Sequence, residues 1–275
     1  MVDGIRLRVA EAGSGPALLL LHGLTATHAN WEHTLPAFAD RYRVVAPDLP
    51  GHGASEKPDA PYSMDFFAGV LRSLARELGI DTAVVAGNSL GGEIAVEMAL
   101  EYPRFVRGLV LAAPAGGFSR ALTPVGRGIE ALAYPWLMRA VLPWAVGRSF
   151  HDRTHPGYAM RRRMMEERIA HADFPAFVRA VARSIRGALE GGGQPIDRLR
   201  LPVLLVWGKN DGVIPYASHQ RVLRGLPHAR FATFDQCGHL PMLEQSTAFN
   251  RELAQFLRVV EATSLGDVPD VAGGS

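Results

Sequence analysis

Residues Ala83–Gly92 read AVVAGNSLGG, an apolar run that ends in the G-x-S-x-G pattern Gly87-Asn88-Ser89-Leu90-Gly91. Small and β-branched residues without polar alternation predict a strand buried on both faces over Ala83–Asn88. The segment Gly91–Glu101 that follows has helical character. A serine between a strand and a helix sits on a sharp turn whose strained backbone exposes the hydroxyl, and small flanking residues are a steric requirement of that turn. Ser89 is therefore the candidate nucleophile.

Further apolar runs lie at Ala17–His22, Arg43–Asp48, Gly108–Ala113, Pro202–Gly208 and Ala229–Phe234, with helical stretches at Asp65–Leu78, Ser218–Gly225 and Ser246–Val260. Ile5–Ala12 alternates apolar and charged residues, as a half-exposed edge strand does. Such an order predicts an α/β fold, a mostly parallel sheet covered by helices. Residues 117–199 break the alternation, being rich in Leu, Met, Trp and Phe and closing on Gly191-Gly192-Gly193. At about 80 residues this stretch is too long for an ordinary crossover. It predicts a helical cap inserted over the carboxyl ends of the strands, so that residues 1–116 and 200–262 form the two parts of one core domain and 263–275 a flexible tail. The triplet Arg161–Arg163 inside the insertion reads first as a solvated helix face, with binding of an acidic substrate as the sharper alternative.

A serine hydroxyl needs an adjacent base held in one tautomer by a carboxylate. His239, in Cys237-Gly238-His239-Leu240-Pro241, follows the last predicted strand, and Asp211, in Gly208-Lys209-Asn210-Asp211, follows the strand before it. Both fall at carboxyl ends of strands, the edge where open α/β sheets bind ligands. Asp235 is too close in sequence to His239 to reach around its loop. Asp48 reads as a cap of the Pro50-Gly51-His52-Gly53 turn, Glu93 as pointing away from the nucleophile, and His22 and His52 as loop-structuring residues. Oxyanion stabilisation calls for two amides. One is assigned to Leu90, at a helix N-terminus, and the other to Leu24, turned inward by unusual dihedrals at Gly23, with Thr25 as the alternative. Phe118, Leu137, Met138 and Met242 are candidate pocket residues, with core packing as the other reading of each.

The composition, 48% hydrophobic and 20% charged over 275 residues, is that of a soluble globular protein. A formal charge of +2 without a basic stripe speaks against nucleic acid. The single cysteine, Cys237, excludes a disulfide framework and a thiolate metal cluster, and no metal is expected. Its closeness to His239 raises the idea of a catalytic thiol, against the ordinary reading of a small buried hydrophobe. The first residues lack the apolar core of a signal peptide, and no run approaches the roughly 20 apolar residues of a membrane helix. These features give the expectation of a cytoplasmic monomer or homodimer with no membrane partner.

Leu18–Trp31 (LLLLHGLTATHANW), Asp48–Ser55 (DLPGHGAS), Gly87–Gly92 (GNSLGG), Trp207–Pro215 (WGKNDGVIP) and Cys237–Glu244 (CGHLPMLE) together resemble the α/β-hydrolase superfamily over nearly the whole chain. The resemblance implies an eight-stranded, mostly parallel sheet, a helical cap after the sixth strand and no cofactor. It also places Ser89, Asp211 and His239 at the nucleophile, acid and base positions, with Leu24 and Leu90 at the oxyanion positions. Haloalkane dehalogenases and epoxide hydrolases carry aspartate where this chain has Ser89. The elbow resembles that of meta-cleavage-product hydrolases, but those usually carry tryptophan where this chain has Leu240, and small-molecule carboxylesterases are similar as well. The expected function is hydrolysis of small to medium apolar carboxylic esters through an acyl-enzyme. Carbon–carbon bond hydrolysis of ring-fission products is the alternative, and a ligand-binding protein on the same scaffold a further one.

Overall fold

Continuous apolar runs become strands whose successive side chains feed opposite faces of one sheet. In the computed structural model, which describes residues 1–115, 133–190 and 193–266, these are β1 (Val9–Ala12), β2 (Ala17–Leu21), β3 (Arg43–Pro47), β4 (Ala83–Asn88), β5 (Val106–Ala112), β6 (Val203–Gly208) and β7 (Arg230–Phe234). Their order across the sheet is β1-β3-β2-β4-β5-β6-β7. Only β1 runs antiparallel, against β3. Leu19, Leu21, Val85, Leu109 and Leu205 pack into one core, while Leu18, Leu20, Ala86, Val110 and Leu204 pack into the other. Period-two alternation between two buried faces is why these runs show no polar positions. Full burial of each large aliphatic side chain stabilises the fold by roughly 1.5–3 kcal/mol relative to exposure.

The sheet has seven strands among the described residues, not the expected eight. The predicted edge strand over Ile5–Ala12 begins only at Val9. Before it, Val2 and Ile5 form an isolated antiparallel bridge across Asp3-Gly4, both at positive φ, and the pairing extends no further.

Helices α1 (Leu35–Phe38), α2 (Met64–Glu77), α3 (Leu90–Glu101), α7 (His219–Gly225), α8 (Pro241–Glu244) and α9 (Ser246–Gly266) belong to the sheet layers. The last continues beyond the expected end at Val260 and takes in the first residues assigned to the tail. Between β5 and β6 come α4 (Pro135–Arg148), α5 (Pro156–Ala170) and α6 (Phe174–Glu190). They build a small core of their own from Leu142, Val146, Met165, Phe174, Phe177 and Val181, against which Leu24 packs. Because β2, β4, β6 and β7 are parallel, the loops that follow them emerge at one edge of the sheet. No helix among the described residues is long and apolar enough to cross a membrane.

Candidate active site

Ser89 stands between β4 and α3 at φ 53° and ψ −117°. A side chain held in such a sparsely populated region costs on the order of 1–3 kcal/mol and persists only when its surroundings overdetermine it. Here Ser89 N–H donates to Ala112 O at 3.0 Å, and Ser89 O accepts from Gly92 N at 2.9 Å and Ala115 N at 3.0 Å. The flanking glycines are sterically required. A Cβ on Gly87 would lie 2.1 Å from Gly91 O, and one on Gly91 would lie 2.3 Å from Leu21 O.

His239 and Asp211 meet across the loops after β7 and β6. Since an ionised carboxylate only accepts, His239 Nδ1–H is the donor to Asp211 Oδ2, at 2.7 Å. The His239 side chain is 6% exposed and that of Asp211 0%. Asp211 Oδ1 in turn accepts from Val213 N at 2.8 Å and Ile214 N at 2.9 Å, which fixes the carboxylate. Asn88 Nδ2 donates to His239 O and to Ala112 O, each at 3.1 Å, tying the histidine loop to the elbow. Ser89 and His239 line the same cavity, of about 230 Å³. Asp235 is excluded from the site: its side chain is exposed and pairs with Lys209 at 2.7 Å. Cys237 is fully buried, and burial pushes its thiol up, away from the thiolate a nucleophile needs.

Leu24 lines the cavity and Leu90 opens α3. Neither amide donates to an acceptor among the described residues, and the same holds for Thr25. The expected dihedral role of Gly23 is not observed, because its φ lies outside the left-handed region; Thr25 carries the positive φ, at 59°. Gly23 serves instead by being small. A Cβ there would lie 3.0 Å from Asn88 Oδ1 and 3.1 Å from Ser89 Cβ.

Buried polar residues shape the loops around the site. His22 Nδ1–H donates to Gly23 O at 2.7 Å, and its Nε2 accepts from Leu49 N at 2.9 Å. Burial, with His52 beside it, holds the His22 ring neutral, its pKa lowered to about 3. Asp48 accepts from His28 N and Nδ1 and from Ala54 N, so it braces the Gly-His-Gly turn as the sequence suggests. Burial alone would raise its pKa, but these hydrogen bonds, together with the nearby His22, outweigh it and bring the carboxyl down to about 2. Glu93 is buried with neither carboxyl oxygen partnered, and burial pushes its pKa well up.

His52 is fully buried, its Nδ1–H on Pro50 O at 3.0 Å, and burial lowers its pKa to about 4. A folded pKa below the unfolded value gives stability that is present above the unfolded pKa of about 6.5 and lost as pH falls toward the folded one. His52→Phe should therefore remove about 1.4 kcal/mol per pH unit of stability loss between pH 6 and 4. Urea unfolding of both proteins across that range measures the difference, and parallel curves would overturn the assignment.

Of the candidate pocket residues, Met138 lines the cavity. Leu137 does not, because it sits one position around α4 from the inward face. Met242 is fully buried in the core beneath the sheet, where α8 directs it. Phe118 lies outside the described residues.

Two lining residues were not assigned from sequence. Asn30 is buried, and neither its Oδ1 nor its Nδ2 has a partner. Arg161 is 5% exposed, in contrast to Arg162 and Arg163, which are exposed and face Glu166 and Glu167 one turn on. Its Nη1 and Nη2 reach Thr25 O at 3.3 Å, Nε is unpartnered, and no carboxylate pairs with it among the described residues. Burial pulls its pKa down to about 10, still charged at neutral pH. The reading of Arg161–Arg163 as a solvated face holds for Arg162 and Arg163 and not for Arg161, since a triplet of arginines gives no sign of which one turns inward. Asn30 lies inside the Leu18–Trp31 segment but was given no role of its own.

Comparison with known proteins bears on the family to which the chain belongs. The chain is 28% identical over 280 residues to the 2-hydroxymuconate semialdehyde hydrolase of Pseudomonas sp. (strain CF600), covering 95% of this chain and 94% of that protein. It is 31% identical over 265 residues to the 2-hydroxy-6-oxononadienedioate/2-hydroxy-6-oxononatrienedioate hydrolase of Paraburkholderia phymatum, covering 92% and 91% of the two chains. A thermophilic esterase from Thermogutta terrifontis superposes with a TM-score of 0.81 at 25% identity, over 93% of this chain and 94% of that one. Residues 18–252 match the model of the alpha/beta hydrolase family, and the chain belongs to that family.

Proposed function

We propose that this protein hydrolyses small carboxylic esters through an acyl-enzyme on Ser89, and that α4, α5 and α6 act as the cap over the acyl pocket. The observation that carries the reading is the 2.7 Å His239–Asp211 hydrogen bond beside a strained serine lining the same cavity. Ser89 Oγ attacks the ester carbonyl as His239 Nε2 takes its proton, and Asp211 stabilises the imidazolium. The amides of Leu24 and Leu90 hold the oxyanion. The alcohol leaves with the proton from His239; water, deprotonated by the same ring, then releases the acid. Met138, Leu142 and Val146 on α4 and Val181 and Ile185 on α6 give the pocket apolar walls. A panel of p-nitrophenyl esters from acetate to dodecanoate, with Ser89→Ala as control, tests the reading. Serine-dependent turnover peaking at short chains is expected, since about 230 Å³ is small for a ligand cavity. Turnover independent of Ser89 would sink it.

Asn30 and Arg161 favour a second reading, hydrolysis of a carbon–carbon bond in an acidic ring-fission dienone by the same three residues. Buried donors without partners are costly, and a ligand carboxylate could accept from Arg161 Nε and Asn30 Nδ2. Arg161→Met should lower kcat/KM for a carboxylate-bearing substrate by roughly 10- to 100-fold, the value of a charge-assisted hydrogen bond, and leave p-nitrophenyl butyrate within about threefold. Equal losses on charged and neutral substrates would assign Arg161 to packing alone.

A further inference from the structure

We propose that Arg148–His151, where α4 ends, is a brace that sets the His239–Asp211 pair, with Arg148 and Glu244 as its positioning residues. The acid and base sit on separate loops, after β6 and β7, and both loops rest on this one stretch of the insertion. On the acid side, Arg148 Nε donates to Gly212 O at 2.8 Å, and a Cβ on Gly212 would lie 2.7 Å from Arg148 O. On the base side, His239 N–H donates to Ser149 O at 2.8 Å. Glu244 closes the joint: one carboxylate oxygen accepts from Gly238 N at 2.9 Å and the other from His151 N at 2.7 Å. Gly238 fits between them only as glycine, since a Cβ there would lie 2.7 Å from both Ser149 O and His151 N.

The same helix lines the catalytic cavity with Met138, Leu142 and Val146. Occupancy of the cavity therefore bears on α4, and α4 ends on the loops that carry the acid and the base. Catalytic geometry tolerates little displacement, a shift of about 1 Å costing up to 100-fold in rate. The brace makes the insertion part of the catalytic apparatus as well as the wall of the pocket. This inference rests on the Ser89–His239–Asp211 reading.

Arg148→Met and Glu244→Gln in the full chain test it, with p-nitrophenyl butyrate turnover and the low-field proton signal of His239 Nδ1–H as readouts. Arg148 is exposed, so its replacement leaves the fold intact. Both variants should lose roughly 10- to 100-fold in kcat with KM within about twofold, and the Nδ1–H signal should broaden. Arg148→Lys, which keeps a donor, should recover most of kcat. Wild-type kcat and an unchanged signal in Arg148→Met would overturn the brace. So would losses that follow the melting temperature and resist the lysine rescue. If Ser89→Ala retains turnover, the catalytic reading itself fails; an inactive Ser89→Ala beside a fully active Arg148→Met fails the brace alone.

Discussion

Ser89→Ala should lower turnover of a short p-nitrophenyl ester by on the order of 10⁴-fold or more and leave the fold intact. The bonds that hold residue 89 in its strained conformation are made by its backbone, to Ala112, Gly92 and Ala115, and an alanine keeps all of them. Only the attacking oxygen is removed. Residual rate above water would come from the oxyanion amides and from binding. Steady-state kinetics with matched circular dichroism check both halves of the expectation. A folded variant with wild-type turnover would rule out the serine.

Asp211→Asn should cost nearly as much, on the order of 10⁴-fold in kcat. The reason lies in the other carboxylate oxygen. Asp211 Oδ1 accepts from the Val213 and Ile214 amides, so an asparagine must place its carbonyl oxygen there and turn its NH₂ toward His239 Nδ1. That NH₂ can only donate, which forces the imidazole proton onto Nε2, where it blocks acceptance of the serine proton. Asp235→Asn is the control. Its exposed pairing with Lys209 makes no contact with the site, and turnover should stay within about twofold. The reverse ranking of the two variants would move the acid to Asp235.

Much of this architecture was legible because its constraints are local. Gly87 and Gly91 are needed for clearances of little more than 2 Å, so the elbow announces itself in five residues. Asp211 and His239 could be found because parallel strands deliver their following loops to one edge. The shorter first strand was not legible, because the alternation over Ile5–Ala12 does not encode that pairing with β3 begins only at Val9. Asn30, and which arginine of the Arg161–Arg163 triplet turns inward, were not legible for a different reason. Their significance is buried polar atoms left unpartnered beside a cavity, Arg161 Nε and the Asn30 side-chain amide, and that emerges only when the insertion is packed on the core. Met242 was misplaced because a residue three positions past the base can face the pocket or the sheet, and the short α8 turns it to the sheet.

The central claim is that Ser89 is a nucleophile activated by His239. Intact-mass measurement and peptide mapping after incubation with a fluorophosphonate test it most directly. The account predicts a single adduct, on the peptide containing Ser89, absent in Ser89→Ala and formed much more slowly in Asp211→Asn. A folded protein that takes up no label, or one whose label persists in Ser89→Ala, would contradict it.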